Sequence, residues 1–128
     1  MTKQEHAAAL RNDPNVHYNC AQSVIIPFAE EIGLSPEQLN ALALNFGGGM
    51  GCGSVCGAIT GALLTMGGLN LPQEKRLDLF RHFREKYGAI QCSELVKSAM
   101  DQGIDRKEHC DCMVGDCVAF VCSQINKE

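Results

Sequence analysis

The sequence predicts an all-α fold, a compact single-domain bundle of about five to seven helices. Three observations predict it. Apolar residues recur three or four apart in segment after segment, and nowhere is there a sustained apolar–polar alternation that would argue for a strand. Residues that start and stop helices punctuate the chain at helix-length intervals. With 128 residues, 45% of them apolar, the chain is one domain's worth, buries roughly two-thirds of its unfolded surface, and can build a core without disulfide staples.

The elements follow in order. A first helix is expected over about Lys3 to Arg11, ending before Asp13-Pro14 because proline disfavours the helical state in the residue before it. A second starts near Asn19 and Cys20; Val24, Ile25, Phe28 and Ile32 share its apolar face, Pro27 kinks or ends it, and Gly33 caps it. Ser35-Pro36-Glu37 is a strong helix start, with serine as N-cap and proline at the first helical position. That short helix carries Leu39 and Leu42 and stops at Phe46 and the glycines. Ser54 to about Met66 reads as a buried helix in which Gly57 and Gly61, one turn apart, let a neighbouring backbone come close; Gly67-Gly68 ends it. Between Pro72 and Tyr87, residues Leu77, Phe80, Phe83 and Tyr87 form one stripe about 120° wide at 100° per residue, and Gly88 caps it. A further helix is expected from Cys92 to Gln102, closed by Gly103. The last runs from about Glu108 to Ile125, with Cys110, Val114, Cys117 and Val121 on one face.

Composition narrows the function. The net charge of -4, with no basic run and no tryptophan, supplies neither the positive stripe nor the stacking platform that nucleic-acid binding uses. The most apolar stretch, Val55 to Leu71, is too short for a membrane span, which takes roughly 20 residues. No apolar stretch of signal-peptide length precedes Arg11, so a reducing cytoplasm is the expected setting. Motifs for classical hydrolases and nucleotide loops are missing: there is no G-x-S-x-G, no H-E-x-x-H, no P-loop, and no zinc-finger pair of the C-x-x-C type.

The eight cysteines carry the chemistry. Cys20, Cys56 and Cys92 each open an expected helix, and Cys110 opens a fourth. A thiol at a helix N-terminus faces unpaired amides and the positive end of the dipole, which lowers its pKa and makes it a better nucleophile or ligand. Against this, free cysteine commonly packs as a small hydrophobe; the shared context of the four favours a site. Cys117 is expected in the core, and Cys122 is read as incidental. Cys112 points opposite Cys110 unless the helix begins later. Cys52, four residues before Cys56, joins it if that helix extends back so far. His6, His17, His82 and His109 read as surface residues, although His17 and His109 lie near candidate cysteines. The run Phe46 to Ser54 brings glycines 48, 49, 51 and 53 to the start of the next helix. There Gly48, Gly49, Gly51 and Gly53 let bare backbone approach a bound group, with amides facing sulfur or an anion; the plainer reading is a tight turn between buried helices.

Asn19-Cys20-Ala21-Gln22-Ser23-Val24, Phe46 to Gly51, Cys56-Gly57-Ala58-Ile59-Thr60-Gly61-Ala62-Leu63, and Phe83 to Gly88 leading to Cys92-Ser93-Glu94-Leu95, then Cys110 with Val114, together resemble the C-GCAxxG-C-C family of redox-active proteins. The resemblance covers nearly the whole chain. It implies that Cys20, Cys56, Cys92 and Cys110 are the defining cysteines, with Cys52, Cys112, Cys117 and Cys122 as extras. It implies redox chemistry and hints at an iron–sulfur cluster, but names no substrate.

Two functions compete at this point, with a third behind them. Four thiolates are a complete ligand set for an iron–sulfur cluster used in electron transfer, with Cys20, Cys56, Cys92 and Cys110, supplemented by Cys52, as metal ligands. A metal-free oxidoreductase would use the same cysteines catalytically, one attacking a substrate disulfide or peroxide and another resolving it. A structural zinc is the third reading, weakened because the domain has core enough without metal. The redox partner is unknown from sequence, and a homo-oligomer is compatible with it.

Overall fold

Three helix starts are fixed by reciprocal side-chain caps. Thr2 accepts from the Glu5 amide while Glu5 reaches back to the Thr2 amide; Asn19 and Gln22 do the same, as do Ser35 and Gln38. Each such box satisfies two amides that a helix leaves orphaned. The computed structural model describes residues 1–125, and these caps open α1 (Lys3–Arg11), α2 (Cys20–Ile25) and α4 (Pro36–Leu42). Between the last two, Pro27 sits in a 3₁₀ turn, Ile26–Phe28, leading into α3 (Ala29–Ile32), which ends on left-handed Gly33. Then come α5 (Gly57–Gly68), α6 (Lys75–Tyr87), α7 (Cys92–Asp101) and α8 (Arg106–Ile125). The fold is all-α as expected, with eight α-helices and no strand among the described residues. Pro27 accounts for the helix beyond the expected range, since it divides one expected helix in two.

Three expectations are corrected. Helix α5 begins at Gly57 rather than Ser54, because residues 54–56 pair with 90–92: the Cys56 amide donates to Ile90 O at 2.8 Å and the Cys92 amide to Ser54 O at 2.6 Å. Helix α8 begins at Arg106, so Cys110 lies inside it rather than at its start. On α6 the buried stripe runs through Leu79 and Phe83, and Leu77 is 56% exposed. Leu77 and Leu79 lie about 200° apart on a helix, so only one can face the core.

The core is built where α2, α5 and α8 meet. Gly57 and Gly61 bring α5 against α2 as the sequence suggested: an added Cβ at Gly61 would lie 2.8 Å from Ala21 O and 2.9 Å from Ala21 Cα. Around this contact Val24, Phe28, Ile59, Leu79, Phe83, Val114, Cys117 and Val121 are fully buried. Burying each of the phenylalanines contributes roughly 1.5–3 kcal/mol. A carboxylate ties α6 to α8: Asp116 accepts from Tyr87 Oη at 2.6 Å, lies 3.0 Å from His82 Nε2, and pairs with Lys86 Nζ at 3.2 Å. Burial pushes the Asp116 pKa up, but these three partners outweigh it and hold the carboxylate ionised. Among the described residues no helix is long and apolar enough to cross a membrane.

Candidate thiol site

Cys20 occupies the first position of α2, and the residues around it explain why the chain needs Asn-Cys-Ala-Gln there. Beyond its capping role, Asn19 donates from Nδ2 to Leu44 O at 2.9 Å, and Gln22 donates from Nε2 to Asn40 O at 2.9 Å. The helix start is thereby tied to the segment entering the glycine loop. Gly57 lies beneath the thiol: a Cβ there would stand 2.9 Å from Cys20 Sγ and 3.1 Å from Gly47 Cα. Only a residue without a side chain allows α5, the loop and Cys20 to meet. The loop itself turns left-handed at Gly48, Gly49, Met50 and Gly51. This brings the Gly48 amide to the Cys20 sulfur.

The paired segments 54–56 and 90–92 deliver the next two thiols. Cys56 is the N-cap residue of α5, and Cys92 is the first residue of α7. Gly49 packs against both segments, with a virtual Cβ 2.5 Å from Ser54 N and 2.9 Å from Cys92 Cβ. Helix α8 adds Cys110. Cys20, Cys56, Cys92 and Cys110 thus line one small cavity of about 10 Å³, closed by Leu95, His109 and Met113.

Only one of the four is an activated thiol. The Cys20 pKa is lowered to about 5, first by hydrogen bonding from the Cys110 thiol, then by the Gly48 amide and the Arg11 charge, against the opposing effect of burial. The Cys110 thiol, as the donor in that pair, is pushed up. Burial raises Cys56 to about 11, although the amides of Ala58 and Ile59 pull the other way, and burial also raises Cys92. The expectation that every helix-start thiol is acidified therefore fails for Cys110, which lies inside α8 and donates to Cys20, and for Cys56 and Cys92, where desolvation outweighs the Ala58 and Ile59 amides at Cys56 and the Arg106 charge at Cys92. Arg11 is held beside the pair by Asp111 Oδ1 at 2.7 Å from its Nε and by Tyr18 O at 3.0 Å from Nη1.

A family model described as "Putative redox-active protein (C_GCAxxG_C_C)" matches residues 18–124. The chain belongs to this family. No curated protein and no solved structure matches it. The C-GCAxxG-C-C match begins after α1, so Arg11, whose charge acts on Cys20 and Cys110, lies outside the matched region.

The other predicted residues fall as follows. Cys52 does not line the four-thiol cavity: it is exposed in the glycine loop, its Sγ 3.4 Å from Gly49 O, and α5 does not extend back to it. Together with Gly48, Gly51, Gly53 and Cys92 it lines a separate, outer groove. Cys112 is exposed on the far side of α8 from Cys110, and Cys117 is fully buried in the core as expected. Cys122 is half-buried. His17 is exposed, but His109 is not the surface residue expected: it is 8% exposed and walls the thiol cavity, and burial lowers its pKa. His109 lies one turn before Met113 on the buried face of α8, whose start the sequence placed too late. The missed signal is Asp105, a residue type favoured at N-caps, whose carboxylate accepts from the Lys107 amide at 3.2 Å.

The C-GCAxxG-C-C thiols do not form a ready cage for a metal in this arrangement. Among the described residues no three histidine, cysteine, aspartate or glutamate side chains gather in a group able to hold a metal ion. The cavity of about 10 Å³ has room for at most about one water-sized atom, well short of a multi-atom cluster.

Proposed function

We propose that this protein is a thiol–disulfide redox protein in which Cys20 attacks and Cys110 resolves. The observation that carries this reading is the placement of the pair: Cys20 at the first position of α2 and Cys110 on α8 line one cavity, and hydrogen bonding between them favours the Cys20 thiolate and keeps the proton on Cys110. That is the division of labour that thiol–disulfide exchange requires. The Cys20 thiolate attacks one sulfur of a substrate disulfide, forming a mixed disulfide and expelling the other half as a thiolate. That leaving thiolate takes up the Cys110 proton. The Cys110 thiolate then attacks Cys20 Sγ and breaks the mixed disulfide, leaving a Cys20–Cys110 disulfide and releasing the second half of the substrate as a thiolate, which takes its proton from solvent. Two protein thiols are oxidised and one substrate disulfide is reduced to two thiols. Burial favours the neutral form of Cys56 and Cys92.

Mild oxidation followed by peptide mapping tests this. A Cys20–Cys110 disulfide that dithiothreitol reverses is expected; oxidation that leaves both thiols free overturns it. A second reading is an iron–sulfur cluster held by Cys20, Cys56, Cys92 and Cys110, whose thiols border one cavity and match a cluster's four-cysteine ligand set; the cavity would have to widen to admit it. Stoichiometric iron and acid-labile sulfide in protein purified without air would establish that reading in place of the first.

A further inference from the structure

The thiol cavity has a neighbour on its outer side. A groove of about 560 Å³ runs between the glycine loop and α7, and Cys92 lines both it and the thiol cavity. Gly48 also lines the groove, while its amide meets the Cys20 sulfur. The inner wall of the groove is therefore the outer wall of the thiol site. The volume suits a small organic molecule rather than a macromolecule, and Val96 and Met100 give its wall an apolar stretch.

Charge identifies the occupant further. Lys97 and Arg106 both line the groove, are exposed, and make no ion pair among the described residues, while Asp101 is the single carboxylate there. The whole chain carries a net charge of -4, so this positive balance is local and opposes the overall field. The groove also faces the first turn of α7 at Cys92 and Ser93, where helix amides favour negative groups.

We infer that this groove binds the substrate of the thiol pair, and that the substrate is a small disulfide bearing carboxylates or comparable anionic groups. The inference rests on the exchange reading above. Lys97 and Arg106 hold the anionic ends and bring the disulfide to Gly48 and Cys92, the groove residues that border the thiol site; Cys20 and Cys110 do not line the groove, so exchange requires one half of the disulfide to pass between the glycine loop and α7 to reach Cys20. The chemistry is balanced as before: two protein thiols and one RSSR give one protein disulfide and two RSH.

The test uses three disulfides of similar size that differ in their end groups: 3,3′-dithiodipropionate, bis(2-hydroxyethyl) disulfide and cystamine. Initial exchange rates of the fully reduced protein are measured at low salt. Each rate is divided by that of dithiothreitol with the same disulfide, which removes differences in leaving group. The normalised rate should be highest for dithiodipropionate and lowest for cystamine, with roughly a tenfold spread that collapses in about 1 M salt. Lys97→Glu/Arg106→Glu should invert the order. Arg76→Glu/Arg81→Glu, which changes the net charge equally on α6, should preserve it. Exchange with no charge order, or with both double variants behaving alike, overturns the groove assignment alone. Failure of all three disulfides, the neutral one included, overturns the exchange reading and the groove assignment with it.

Discussion

Replacing Gly61 with alanine would test the contact that positions Cys20. The new Cβ would lie 2.8 Å from Ala21 O, 2.9 Å from Ala21 Cα and 3.1 Å from Val24 Cβ. Two of these are main-chain atoms of α2 and cannot rotate away, so α2 and α5 must separate. Overpacking costs about 1–3 kcal/mol, and a clash with main-chain atoms falls in the upper part of that range, about 2–3 kcal/mol, while alanine gains about 0.8–1 kcal/mol over glycine within a helix. The net is a destabilisation of about 1–2 kcal/mol. At roughly 4 °C per kcal/mol for a chain of this size, Tm should fall by about 4–8 °C. Gly115→Ala is the control: it lies within α8, and its added Cβ meets nothing within 4 Å, so the same propensity gain should raise Tm. Thermal unfolding of the reduced proteins, followed by circular dichroism, reads both. Because Ala21 adjoins Cys20, Gly61→Ala should also shift the pH midpoint of Cys20 alkylation upward, and Gly115→Ala should not. A Gly61→Ala protein that melts at or above wild type would refute the close-contact account of α2 and α5.

Other outcomes follow from the same geometry. Cys110→Ala removes the largest influence lowering the Cys20 pKa, so the midpoint of iodoacetamide alkylation should climb from about 5 toward the ordinary thiol value of about 8.5; an unmoved midpoint would discard the pair. Arg11→Gln should raise the midpoint by less, since the guanidinium ranks below the Cys110 thiol and the Gly48 amide among the causes. A thiol whose pKa is depressed by folding contributes stability that is complete above the unfolded value and lost as pH falls through the folded one. Urea midpoints should therefore drop more between about pH 8.5 and 5 for wild type than for Cys20→Ser, and parallel curves would argue against a Cys20 thiolate. Cys117 is fully buried in the core, so Cys117→Ala should leave disulfide formation between Cys20 and Cys110 intact, while Cys117→Ser should lose about a further 1–3 kcal/mol by burying an unpaired hydroxyl. Loss of disulfide formation in a folded Cys117→Ala protein would show that Cys117 belongs to the site.

Much of the fold was legible because helix boundaries are written locally. Ser35-Pro36, Gly33, Gly88 and Gly103 act through their own backbone preferences, and each ends or begins a helix where the sequence places it. The Gly57/Gly61 spacing announced a close helix contact, and Gly61 meets the backbone of α2. What failed was non-local. Residues 54–56 leave the helix because residues 90–92 pair with them, and no window around Ser54 contains that information. Likewise, the local dipole argument promised low pKa values for Cys56 and Cys92, but their burial depends on segments dozens of residues away.

The electrostatics of the cluster place a limit on its chemistry that no single cysteine reveals. The hydrogen bond to Cys20 is the first cause raising Cys110, and burial the first raising Cys56, Cys92 and Cys117; the Cys20 charge adds to the rise of all four. One thiolate therefore keeps its neighbours protonated, since like charges close together in a poorly solvated site cannot all ionise. The Gly48 amide and Arg11 favour the Cys20 charge, whereas the Ala58 and Ile59 amides at Cys56 and the Arg106 charge at Cys92 are outweighed by burial. Metal-free, the site is a one-thiolate centre, suited to one nucleophile and one proton-bearing partner. To deprotonate all four thiols it would need a cation among them, because a coordinating metal is what turns neighbouring thiols into stable thiolates. Proton release on adding iron or zinc to the reduced apoprotein therefore separates the two chemistries: three or more protons per metal bound would place the four cysteines in a ligand set, and none would leave them as the exchange site of Cys20 and Cys110.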